Sequence, residues 1–102
     1  MDIALDGPAL VLTGDFDVRS TMEVRTALYD HLERTGDDVV VDLSGVRTVD
    51  LTALKVLAVA TRYAGRAGRH VVLRGCRPAV LRMLHLSRLI RVVELDREPA
   101  TA

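Results

Sequence analysis

Short β-branched runs alternate with stretches of helical period along this chain, and that alternation confines it to an α/β layer architecture. The run Val39-Val40-Val41, held between Asp38 and Asp42, is too short and too β-branched for a helix and predicts a strand buried on both faces. Ahead of it, residues 3–5 and 9–13 flank Asp6-Gly7-Pro8, a turn cluster whose length suits an antiparallel hairpin. Behind it, residues 70–73 predict another buried strand and residues 92–95 a last one.

Helices fill the intervals. Ser20-Thr21-Met22-Glu23 has the pattern of a capping box, in which the Glu23 amide donates to the Ser20 hydroxyl and the Glu23 carboxylate reaches back. The helix it opens carries Val24, Ala27, Leu28, His31 and Leu32 on one stripe and stops at Thr35-Gly36, where Gly can turn left-handed. Leu43-Ser44-Gly45 predicts a turn, followed by a short apolar step over residues 46–49. A second helix is expected over residues 51–64, ending at Gly65, and a third over residues 79–85 behind Pro78. The order β-β-α-β-α-β-α-β then predicts a single mixed, mostly parallel sheet of about five strands covered by helices. Its first strand pairs antiparallel and its later ones are joined by right-handed crossovers. Residues 1–97 form one domain in this scheme and residues 98–102 a disordered tail.

A chain of 102 residues that is 49% hydrophobic supports one core and not two. Its longest apolar stretch, residues 56–60, falls far short of the roughly 20 residues of a membrane span, so no membrane insertion is expected. The opening Met1-Asp2-Ile3 lacks a basic segment followed by an apolar one, and the lone Cys76 cannot form an internal disulfide; both favour the cytoplasm. Net charge is zero, yet residues 1–50 hold four basic against eleven acidic side chains and residues 51–102 hold ten against three. Folding is expected to interleave the halves and cancel most of this asymmetry, unless it leaves a basic face that steers a partner.

Few residues suggest catalysis. His31, His70 and His85 have no metal-ligand spacing, and Gly65 and Gly68 match no phosphate-binding loop. Asp15 and Asp17 suit solvated loop positions better than a catalytic carboxylate pair. Arg74 and Arg77 flank Cys76 and would lower its pKa if they faced it. Aromatic residues make up 3% of the chain, which with the lack of a recognition motif argues against nucleic-acid binding. No enzyme, metal or cofactor is expected.

The second helix is different. Asp50 is placed to cap it, with Thr52 and Ala53 at an N-terminus whose outward amides favour negative charge. The helix is apolar almost all round, and its least apolar line is Thr52, Lys55, Val59, Arg62 and Arg66. That line predicts an outward face, either a solvated stripe with an incidental Val59 or a docking surface for an acidic partner.

At this point the chain resembles the STAS domain, the fold of bacterial anti-sigma factor antagonists. Asp42-Leu43-Ser44-Gly45-Val46 and Val49-Asp50-Leu51-Thr52-Ala53-Leu54 resemble the family's Asp-Leu-Ser-x-Val and Asp-Ser-Ser-Gly-Leu signatures. Thr13-Gly14-Asp15-Phe16-Asp17 is similar to its Gly-Glu-Leu-Asp strand end, and the likeness continues through residues 78–89. The resemblance implies a non-enzymatic switch that, when unphosphorylated, binds an anti-sigma factor of histidine-kinase-like ATPase fold and so frees a sigma factor. Phosphorylation by that kinase on the first Ser of the signature ends the binding.

Here that position is Leu51, which has no hydroxyl. Thr52 matches the second Ser and is an alternative acceptor, although it lies about 100° further round the helix. Ala53 replaces the family's Gly and adds a methyl where a partner's backbone would approach, and Arg77 replaces the capping Ser, a loss of about 1 kcal/mol. Together the resemblance and the outer face assign partner contact to Asp15, Asp17, Asp50, Leu51, Thr52, Ala53, Lys55, Val56, Val59 and Arg62. They imply a constitutive or atypically regulated antagonist. The alternative is a STAS subunit of a stressosome-like scaffold or of a lipid-transport ATPase complex, with a homodimer or a hetero-assembly of STAS chains left open.

Overall fold

The structure is a computed structural model and describes residues 1–96; the tail expected over residues 98–102 lies outside the described residues. Strands β1 (Asp2–Asp6), β2 (Ala9–Phe16), β3 (Val39–Val49), β4 (Val71–Arg74) and β5 (Glu94–Leu95) form one sheet in the order β1-β2-β3-β4-β5. Helices α1 (Thr21–Thr35), α2 (Leu51–Arg66) and α3 (Pro78–Leu86) connect the parallel strands, and a 3₁₀ turn over Leu89–Arg91 precedes β5. The mixed α/β sheet with an antiparallel first strand is as the sequence predicts. Asp6 pairs with Ala9 across a two-residue loop, whose first residue, Gly7, has φ +58°, the sign that tight hairpin loops of the primed types require.

Because successive parallel strands are neighbours, right-handed crossovers lay all the helices on the same side of the sheet. Burial follows that geometry. Leu10 and Leu12 of β2, Val39, Val41 and Leu43 of β3, and Val71 and Leu73 of β4 are buried in the core with Phe16, Leu28, Leu54, Leu57 and Leu84. Val11, Val40 and Val72, on the other face, are only half-buried. The expectation of strands buried on both faces is therefore corrected: helices cover one face only.

The turn expected at Leu43-Ser44-Gly45 is also absent, and β3 runs unbroken through it. Pairing moves from Val11 with Asp42 to Thr13 with Gly45, then from Gly14 with Val46 to Asp15 with Thr48. Each step places one extra β3 residue against β2, which defines a bulge. At the first bulge the Asp42 carboxylate accepts from the Ser44 amide at 2.9 Å and the Ser44 hydroxyl at 2.6 Å. The side-chain chemistry that suggested a turn thus closes a local hydrogen-bonded loop within a strand.

The capping box at α1 does not form. Ser20 has helical dihedrals (φ −109°, ψ −1°) and makes no side-chain cap; its hydroxyl accepts from the Asp17 amide at 3.2 Å and donates toward the carbonyls of Asp17 in the loop and Asp15 at the end of β2. An N-cap needs an extended backbone to aim its oxygen at the first helical amides. At the other end Gly36 is left-handed (φ 62°) and its amide donates to the Leu32 carbonyl, as expected. Helix α2 runs two residues beyond its predicted end, through Gly65 to Arg66. The last strand shrinks to two residues because the Val92 and Val93 amides both donate to the Leu89 carbonyl.

Ion pairing does little to cancel the charge asymmetry. Of the five ion pairs between described residues, only Arg74–Asp42 joins the two halves of the sequence. Among the described residues the cations of α2 have no ion-pairing carboxylate.

Candidate functional site

The site grows from the carboxyl ends of β2 and β3, where Phe16 pairs with Val49. Phe16 is fully buried, and its carbonyl accepts from the Asp50 amide at 3.2 Å. Asp50 is extended (φ −111°, ψ 174°), so its Oδ1 can accept from the Ala53 amide at 2.8 Å and cap α2. Its Oδ2 accepts from the Val18 amide at 2.9 Å, which ties the β2–α1 loop to the first turn of α2. One carboxylate therefore fixes both segments. Asp50→Ala should lose about 1–2 kcal/mol of stability. Asp50→Asn keeps one acceptor and should lose less, a ranking that urea unfolding of the two variants checks.

This cap leaves Leu51 exposed at 44%, with Thr52 exposed beside it. Val18 and Met22, 62% and 66% exposed, bring apolar surface from the start of α1 to the same end of the fold. Along α2, Thr52, Lys55, Val59, Arg62 and Arg66 are all exposed while Leu54, Leu57, Ala58 and Thr61 are buried. Thr61 is satisfied there by donating to the Leu57 carbonyl at 2.8 Å. The predicted outer line is thus the helix's solvent face, with Val56 half-buried at its edge. Among the described residues Lys55, Arg62 and Arg66 have no carboxylate within ion-pairing distance.

A groove of about 260 Å³ lies between α1 and α2, lined by Arg25, Tyr29, Thr52, Lys55, Val56 and Val59. Tyr29 meets Tyr63 of α2 edge to face at 5.1 Å, and the Arg25 guanidinium sits over the Tyr29 ring at 5.8 Å. On the other side of Val59 a smaller depression of about 150 Å³ is lined by Lys55, Ala58, Val59, Arg62, Leu89 and Val92. Sequence reasoning missed the contributions of Val18, Met22, Arg25, Tyr29 and Leu89. Only Val18 and Met22 carried a local signal, as apolar residues flanking a helix start.

Other candidates sit elsewhere or face inward. Ala53 is fully buried, so its methyl packs into the core and not toward a partner. Asp15 accepts from the Thr48 hydroxyl at 2.9 Å across the β2–β3 ladder. Asp17 pairs with Arg19 at 2.8 Å, and hydrogen bonds from that residue hold its carboxyl below the usual carboxylate range. Cys76 departs from expectation: Arg74 turns to Asp42 and Arg77 to the Ser44 carbonyl. Burial then pushes the thiol up to about 11. His31 is buried and contacts the Pro8 carbonyl, and His70 pairs with Glu94 at 2.8 Å. No group of three or more metal-ligating side chains occurs among the described residues, and none of their helices is long and apolar enough to cross a membrane.

Fold and site together define a small α/β module that presents the first turns of one capped helix at the carboxyl edge of its sheet. Residues 1–94 match the family model described as "Mlab, STAS domain", and the chain belongs to that STAS-domain family. None of the curated proteins matches it. Among solved structures it is similar to an anti-sigma factor antagonist from Mycobacterium paratuberculosis, at 21% identity and a TM-score of 0.77, covering 95% of this chain and 84% of that one. It also resembles the unphosphorylated anti-sigma factor antagonist SpoIIAA, at 12% identity and TM-score 0.74 over 95% of this chain and 88% of the other. RsbS from Moorella thermoacetica matches at 23% identity and TM-score 0.69 over 93% and 84%. At these identities the likeness establishes the fold.

Proposed function

We propose that this chain is a binding module of the anti-sigma factor antagonist type, acting in the cytoplasm without catalysis. Its partner is an anti-sigma factor of histidine-kinase-like ATPase fold, whose capture releases a sigma factor. The observation that carries this is the exposed cationic and apolar face of α2, whose cations have no ion pair among the described residues, headed by the Asp50 cap and exposed Leu51. Structural likeness to proteins named as anti-sigma factor antagonists supports the same direction.

Leu51 stands where the family carries its modified Ser, so the usual off-switch has no acceptor atom. Binding is then constitutive, or set by the partner. Incubated with the cognate kinase and ATP, the wild-type chain should keep its unmodified mass, whereas Leu51→Ser should gain one phosphate and lose affinity. A phosphate mapped to Thr52 in the wild type would replace this with a switch displaced by one residue. Thr52 is exposed in the first turn of α2, where about two added negative charges would suit the helix dipole while repelling an acidic partner.

A further inference from the structure

We propose that the outer face of α2 receives an acidic amphipathic helix of the partner, its apolar side chains set into the two depressions and its carboxylates on Arg25, Lys55 and Arg62. The proposal rests on the binding-module function and names the partner segment that this surface fits.

Lys55 and Val59 line both depressions, and they are four residues apart. They therefore form part of an i±4 ridge with a groove on each side, the relief against which a second helix packs its own ridges. Tyr29, Val56 and Val59 supply apolar surface in the larger groove, and Leu89, Val92 and Ala58 in the smaller. An amphipathic helix reads such a surface through apolar anchors about one turn apart.

The charged side chains that line these grooves are all cations; the nearby Glu33 carboxylate is taken by the Tyr63 hydroxyl at 3.2 Å. Arg25 and Lys55 border the larger groove, Lys55 and Arg62 the smaller, and Arg66 lies further along α2. None of these four has an ion-pairing carboxylate among the described residues. Arg25 is held over the Tyr29 ring instead, at 5.8 Å. A partner carboxylate beside an apolar anchor complements this arrangement, and a lysine there is repelled. A flat anionic membrane would meet the same cations but would leave the depressions beside the ridge unfilled.

The test uses the full chain, ¹⁵N-labelled, and a synthetic amphipathic peptide of about 18 residues, long enough to hold helix. The peptide has Leu on one face flanked by Glu; a control has every Glu replaced by Lys. The acidic peptide should shift the amide resonances of Tyr29, Lys55, Val59, Arg62 and Leu89. The control should bind about tenfold more weakly or not at all. Arg25→Glu with Lys55→Glu should reverse that preference, a gain that misfolding cannot mimic. Equal binding of both peptides, shifts confined to other surfaces, or no binding of either would overturn the proposal. So would anionic phosphatidylglycerol vesicles shifting these resonances when the acidic peptide does not. Recovery of a kinase-fold anti-sigma factor from cells together with any of those results would remove the helix-docking proposal and leave the proposed function standing.

Discussion

Replacing Val59 with Asp should weaken partner binding by roughly 30-fold or more while leaving thermal stability almost unchanged. The side chain is 57% exposed, and Val and Asp have similar helix propensities, so the folded state should shift by no more than about 0.5 kcal/mol. In a complex, the same substitution puts a charge between two apolar depressions at the centre of the proposed contact. Truncating or charging a central anchor typically costs about 2 kcal/mol or more, and each 1.4 kcal/mol is about tenfold in affinity. Titration calorimetry against the captured partner measures the first effect and a melting curve the second. Unchanged affinity would take α2's outer face out of the interface, and a large fall in melting temperature would mean that Val59 supports the fold.

Phe16→Ala should be the most damaging single change to stability near the site. Phe16 is the chain's only phenylalanine and is fully buried at the end of β2, with its backbone carbonyl holding the Asp50 amide. Removing a buried Phe ring typically costs about 3–5 kcal/mol, because transfer energy is lost and a cavity remains. A domain of this size has only about 5–15 kcal/mol in total. At about 4–8 °C per kcal/mol, the melting temperature should fall by roughly 12 °C or more. Urea unfolding with an unchanged slope and a lowered midpoint is the expected result. A loss below about 1 kcal/mol would show that Phe16 does not anchor the core beneath the site.

The parts of the fold legible in the sequence are those set by local chemistry. Asp50 was identifiable as a cap because a carboxylate before an apolar helical run has one good use, and Pro78 marked the start of α3 because its missing amide hydrogen is harmless there. Where one pattern has two outcomes, the sequence misled. Asp42-Leu43-Ser44-Gly45 has turn chemistry, yet its hydrogen bonds form inside a bulged strand because β2 supplies a ladder along its whole length. Ser20 has the composition of a cap, but the loop before it takes the hydroxyl first. Nothing in Val39-Val40-Val41 alone says which face a helix covers, since that depends on strand order.

The candidate site divides in the same way. The line from Thr52 to Arg66 follows from helical spacing within one element, and the structure exposes all of it. The groove does not, because it exists only where Arg25 and Tyr29 of α1 come to lie beside Lys55, Val56 and Val59 of α2. The arginines beside Cys76 illustrate the converse: neighbours in sequence, they direct their guanidiniums to Asp42 and Ser44.

Recovering the tagged chain from its native cells, with identification of the bound proteins and its intact mass read from the same sample, tests the proposed function most directly. A kinase-fold anti-sigma factor bound to unmodified chain is the expected result. Transporter or stressosome subunits without any anti-sigma factor would contradict it.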